Sequence, residues 1–216
     1  MLTLSCATPG EREHVITAAS SAVKRGDLVL LPTESAYALV TDPFSARGLA
    51  ALRAVKGQSH DSPLSLMVPS AATVSGIAMG VNASVQALMQ AFWPGALTLL
   101  LRPQPTLAWD LPAELPIAVR MPLHPLMLAV LDRCGPLAVT TANAPGHPAP
   151  LAIEQAVEQL GECASVAVDA GELEAAELPS TVLDMSGLDP TVLRHGSLPV
   201  SELQQVVPGI PGRPQK

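Results

Sequence analysis

Apolar residues fall along this chain in short runs rather than in one long periodic stretch. Residues 28–31 follow Gly26 and Asp27 and read as a buried strand. Residues 64–68, 97–101, 117–119, 137–139, 166–168, 181–183 and 192–193 read the same way. Between them lie stretches with helical spacing. Residues 11–24 put Val15, Ala18, Ala19 and Ala22 on one face, and residues 46–55 align Leu49, Leu52 and Val55. Residues 84–92, 125–133 and 153–160 are further predicted helices. Strands and helices mixed along the whole length predict an α/β (α+β) layered fold without internal repeats. One domain is expected over residues 1–207. Residues 208–216, rich in proline and glycine, read as a mobile tail.

Composition sharpens this picture. The chain has 216 residues, and at 48% hydrophobic it can bury a real core, which excludes a disordered chain. Aromatics supply only 2%, so that core is aliphatic. The 22 prolines and 15 glycines argue against a helical bundle and for many turns. Residues 62–101 carry no charge, but Pro63, Pro69, Gly76, Gly80, Asn82 and Pro94 interrupt them. No run reaches the roughly 18–20 apolar residues of a spanning helix, so no membrane association is expected. The N-terminus lacks a basic start followed by an apolar stretch. Cys6, Cys134 and Cys163 are few and far apart, which predicts neither disulfides nor a metal site and fits a reducing cytoplasm. The net charge is −7, from 12 basic and 19 acidic residues, which disfavours coating of nucleic acid.

Phosphate loops, dinucleotide fingerprints, nucleophile elbows and zinc-protease motifs are all absent from the sequence. The five histidines show no metal-binding spacing, so no protein-held metal is expected. Five polar islands instead border the apolar runs: 32–37, 56–58, Arg120, 140–143 and 194–196. Loops at strand ends are where a layered α/β scaffold places ligands. Two arginines, a lysine, hydroxyls and an amide converging there would suit a phosphate or a carboxylate. Each has a structural alternative. Thr33 suits a hydroxyl-closed turn, Tyr37 a core aromatic, Lys56 a helix C-terminus and Asn143 a turn. Arg120 adjoins an apolar strand and therefore needs a partner.

Read in order, the segments 31–37, 92–98, 118–125, 136–143, 180–184 and 193–196 resemble the YrdC/Sua5 family, at the family's spacing and over about residues 10–200. They run LPTESAY, FWPGALT, AVRMPLHP, PLAVTTAN, STVLD and LRHG. The resemblance is to the short form, the YrdC domain alone. It implies a twisted mixed sheet with flanking helices around a concave cleft. It also implies L-threonylcarbamoyladenylate synthesis from L-threonine, bicarbonate and ATP with Mg2+. A downstream threonylcarbamoyl transferase complex then carries the group to tRNA. Thr33, Arg120 and Thr181 resemble the family's threonine-binding positions, and Tyr37 would line the pocket. Lys56, Thr98, Thr141, Asn143 and Arg194 resemble the ATP-binding positions. No covalent nucleophile is implied.

The departures bear on function. The family's Lys-x-Arg is Lys56-Gly57-Gln58 here, and Arg53 is the nearest residue able to replace the lost arginine. Ser62 and Met67 also depart from the usual residues. These changes raise the alternative of a divergent nucleotide- or double-stranded-RNA-binding translation factor without synthase activity. Carbamoyl-adenylate chemistry on another acceptor, as in hydrogenase maturation, ranks third.

Overall fold

The structure, a computed structural model, describes residues 1–111, 114–175 and 178–212. Its strands are β1 (Leu2–Ser5), β2 (Val29–Pro32), β3 (Tyr37–Thr41), β4 (Ser65–Met67), β5 (Ala78–Met79), β6 (Leu97–Pro103), β7 (Ile117–Arg120), β8 (Leu137–Thr141), β9 (Val166–Asp169), β10 (Thr181–Asp184) and β11 (Thr191–Arg194). Its helices are α1 (Pro9–Lys24), α2 (Ala46–Val55), α3 (Ala71–Ile77), α4 (Ala83–Phe92), α5 (Pro125–Cys134), α6 (Ile153–Leu160) and α7 (Val200–Val206).

Local chemistry fixes the helix starts. Thr8 and Glu11 form a capping box, with the Thr8 amide donating to Glu11 Oε2 at 2.7 Å, and Pro9 opens α1. Ser45, Ser70 and Asn82 cap α2, α3 and α4 through their side chains. The predicted helices at 46–55 and 153–160 match α2 and α6, and α1, α4 and α5 differ only at their ends. β1, β3, β5, α3 and α7 went unpredicted. β1 is an edge strand whose side chains are mostly exposed, so it carries little apolar signal. α3 holds Thr73, Val74 and Gly76, which are weak helix formers.

The sheet runs β1-β9-β2-β3-β8-β4-β7-β6-β10-β11, with β5 paired to β6 off this path. It is mixed: β1, β9 and β2 are parallel, as are β4 with β7 and β6 with β10. Side chains alternate across it. Leu30, Leu39 and Leu66 enter one core with α2, α4, α6 and α7. Val29, Leu31, Val40 and Met67 enter the other, under α1 and α5. The α1–α5 layer packs on this face from β1 to β4 and no further. Beyond β4 the same face carries Ala118, Thr98 and Val182, which border open space. The expected concave cleft is that uncovered half-face, extended by Ala38, Ser65 and Thr141 of β3, β4 and β8.

Packing also continues past residue 207. Ile210 is 2% exposed in the larger core, and Gln204 Nε2 donates to its carbonyl at 2.9 Å. Burial of one isoleucine side chain holds this part of the predicted tail. Residues 213–216 lie outside the described residues.

Candidate functional site

The cleft has a volume of about 330 Å3. Strand register builds its floor: Ala38 pairs with Thr141, Ser65 with Ala118, and Thr98 with Val182. Small side chains and hydroxyls there leave room for a ligand where larger residues would bring the helical layer down.

Two arginines stand over this floor. Arg120, at the end of β7, donates from Nε to the Gly95 carbonyl at 2.9 Å and forms an ion pair with Glu34. Glu34 also accepts from the Leu123 amide at 3.2 Å, so it ties the 33–36 turn to the β7–α5 connection. Arg194, at the end of β11, donates from Nε to the Ser180 carbonyl at 2.9 Å and from Nη2 to its hydroxyl at 3.0 Å. The Thr98 and Ser180 hydroxyls lie 2.9 Å apart. Burial, and next the neighbouring charge of Arg194, lowers the Arg120 pKa to about 10. A largely buried guanidinium with a second, more exposed one beside it favours an anionic ligand, whose charge offsets the repulsion between them.

Arg120, Arg194, Thr98 and Thr141 therefore reach the cleft as expected from sequence. The Thr33 hydroxyl lines it but is committed. It donates to the Ala36 carbonyl at 2.7 Å and accepts from the Ala36 and Ser35 amides, closing the turn. Tyr37 borders the cleft as expected, but its ring is fully buried in the core. Its hydroxyl donates to the Gly171 carbonyl at 2.8 Å and accepts from the Ala170 amide at 2.9 Å. Burial is the first cause that pushes its pKa up to about 12. Tyr37→Phe leaves those two backbone groups unpaired. It is expected to cost about 1–3 kcal/mol, read as a lower urea midpoint with an unchanged slope.

Lys56 and Asn143 sit outside the cleft lining and brace its rim. Lys56 Nζ donates to the Asn143 carbonyl at 2.6 Å, to Asn143 Oδ1 at 2.8 Å and to the Thr141 carbonyl at 3.2 Å. Asn143 Nδ2 donates to the His147 carbonyl at 2.7 Å, so its amide is used on both sides. Burial lowers the Lys56 pKa below the ordinary 10.5. Folding carries that desolvation penalty at low pH and loses it as pH rises through the lowered value. The cation disappears over the same range. Activity should therefore fall on the alkaline side before a free lysine would titrate, and Lys56→Arg should move that limb upward in a pH–rate profile.

Thr181 does not face the cleft. It pairs with Leu97 in register and shares the core face with Leu183. Its buried hydroxyl donates to the Leu198 carbonyl at 2.6 Å and accepts from the Gly196 amide at 3.1 Å. Strand alternation brings Ser180 to the cleft instead. The spacing of Thr181 from Leu183 carried that signal, since both must point to one side. Ser65 is a further lining residue outside the segments the sequence reading picked out, and Glu34, Ser35 and Thr140 lay within its polar islands 32–37 and 140–143 without roles of their own.

Comparison with known proteins fits this geometry. The Sua5/YciO/YrdC family model, described as telomere recombination, matches residues 21–196. The chain belongs to this family. It is 39% identical over 206 residues to a Mycobacterium tuberculosis protein named "Putative threonylcarbamoyl-AMP synthase", covering 95% of this chain and 94% of that one. It is 29% identical over 197 residues to the threonylcarbamoyl-AMP synthase of Pyrococcus abyssi, covering 90% of this chain and 58% of the relative. The crystal structure of P. abyssi Sua5 complexed with L-threonine superposes with a TM-score of 0.83 at 26% identity, over 97% of this chain and 62% of the other.

Gln58 and Arg53 bear on the arginine that the family resemblance led one to expect near the cleft. Arg53 does not replace it. Its side chain is buried, with Nη2 donating to the Asp110 carbonyl at 3.1 Å and Nη1 lying 3.6 Å from the Asp110 carboxylate. A buried arginine needs such a partner, and here the partner holds it away from the cleft. Gln58 is exposed after α2 and lines no part of the cleft. Met67 adds an apolar side chain to the cleft floor.

Proposed function

We propose that this chain is a threonylcarbamoyl-AMP synthase acting on L-threonine, bicarbonate and ATP. The observation that carries the proposal is the pair Arg120 and Arg194 facing one hydroxyl-lined cleft, in a family whose relatives bear that name. The threonine amine attacks bicarbonate carbon, and water leaves as the carbamate forms. A carbamate oxygen then attacks the α-phosphorus of ATP, the bond to the β-phosphate breaks, and pyrophosphate departs.

The chain's residues serve this chemistry by position and charge rather than by covalent attack. Arg120 suits the threonine carboxylate, because its guanidinium is held rigidly by Glu34 and Gly95. Arg194, with Thr98 and Ser180, suits the phosphates. Lys56 and Asn143 hold the rim loop that carries Thr141. Among the described residues no cluster of three histidine, cysteine or acidic side chains offers a metal site. The magnesium this chemistry uses therefore enters on the triphosphate, where it supplies charge neutralisation.

The product is a labile mixed anhydride, so a downstream transferase acting on tRNA is the matching consumer. The free cysteines fit a cytoplasmic setting, and no helix among the described residues is long and apolar enough to cross a membrane. The net charge of −7 weighs against the alternative of a double-stranded-RNA-binding factor. Pyrophosphate release, followed with each component omitted in turn, tests the proposal. Release that needs ATP, L-threonine and bicarbonate together is expected. Folded protein that releases none with all components present overturns it.

A further inference from the structure

A second cavity lies outside the cleft, with a volume of about 610 Å3. It opens between the N-terminal ends of α1 and α5, at the C-terminal ends of the parallel strands β1 and β9. That size and position suit a small ligand. Ile16, Leu126 and Ala129 make an apolar wall, while Arg12 and Asp169 contribute opposite charges.

Neither charge is neutralised by an ion pair among the described residues. Arg12 spends only Nε, on the Cys6 carbonyl at 3.1 Å. Asp169 spends Oδ1 on the Gly171 amide at 2.8 Å. Both lie close to Cys6, whose thiol donates to the Asp169 carbonyl at 3.2 Å. The same thiol is raised chiefly by burial, then pulled down by Arg12 and pushed up by Asp169. His124 adds a ring nitrogen, Nδ1, that is sealed from water and has no hydrogen-bond partner. A cavity with one cation, one anion and an apolar wall is complementary to a zwitterion. A plain carboxylate would satisfy Arg12 and be repelled by Asp169.

We infer that this cavity binds a free α-amino acid with an apolar side chain, its carboxylate on Arg12 and its ammonium on Asp169. The hydroxyl of threonine would have to lie against Ile16 and Leu126, so the substrate of the cleft is a poor fit here.

Isothermal titration of the full chain with L-leucine tests this, beside hexanoate and isoamylamine, which each carry one of the two charges. Saturable leucine binding is expected, with both single-charge probes at least about tenfold weaker. Arg12→Met and Asp169→Asn should each weaken leucine about tenfold while leaving threonine-dependent pyrophosphate release unchanged. Both are expected to fold, since Arg12 is exposed and asparagine keeps the acceptor for Gly171. The absence of saturable leucine binding overturns the inference. So does leucine affinity unchanged in both variants, or leucine displaced by L-threonine, which would put it in the cleft.

Discussion

Arg120→Ala is expected to lower kcat/KM for L-threonine by about 100- to 1000-fold, a loss of about 3–4 kcal/mol in transition-state stabilisation. Two losses combine. The ligand carboxylate forfeits a charge-assisted, bidentate partner worth about 1.5–3 kcal/mol. Glu34, whose side chain is only 23% exposed, is left as a carboxylate without its cation and drifts from the Leu123 amide. The turn at 33–36 then loses its tie to the β7–α5 connection. Arg120→Lys separates these effects. It keeps the charge but not the planar fork, so about tenfold loss is expected. Glu34→Gln should raise KM for threonine more than it lowers kcat, since it acts by orienting Arg120. Steady-state kinetics beside melting curves decide the matter. Arg120→Ala that keeps more than about a tenth of wild-type kcat/KM would remove Arg120 from the binding site.

The sequence made parts of this site legible and hid others for physical reasons. Arg120 and Arg194 stood out because each ends an apolar strand, where a cation must have a purpose. Thr98 and Thr141 were found through motifs whose strand context the structure bears out. Thr181 was misplaced by the same motif that named it: the hydroxyl at 180 and the hydroxyl at 181 look alike in a string, and only alternation against Leu183 separates them. Arg53 shows the opposite limit. Its helical spacing gave no sign that Asp110, 57 residues away, would capture it. Glu34 was similarly invisible as a partner of Arg120, because the pairing depends on the 33–36 turn folding back over β7. Edge strand β1 and the Gly-bearing α3 lacked the periodicity by which the longer elements were read.

Gly196→Ala is expected to damage both fold and site, although Gly196 contacts no ligand in the proposed reaction. A Cβ at this position would stand 2.2 Å from the Pro179 carbonyl oxygen, 2.4 Å from the Ser180 carbonyl carbon and 2.5 Å from the Thr181 nitrogen. All three are backbone atoms, so no side-chain rotation relieves the contact. The close approach is held by the Gly196 amide donating to Thr181 Oγ1 at 3.1 Å and the Ser197 amide donating to the Pro179 carbonyl at 2.9 Å. Separating these segments moves Ser180, and with it the two hydrogen bonds that aim Arg194 into the cleft. A destabilisation of about 3 kcal/mol is expected from overpacking of this kind. The fall in kcat/KM for ATP should exceed the fall for threonine, because Arg194 faces the phosphates. Gly10→Ala supplies the contrast. Nothing lies within 4 Å of its Cβ, and stability should hold or rise by about 0.5 kcal/mol. Urea unfolding of both variants, with nucleotide and threonine kinetics on each, reads out the difference. Wild-type stability and activity in Gly196→Ala would mean that the 179–181 and 196–197 segments separate freely, and that Arg194 is aimed by something other than Ser180.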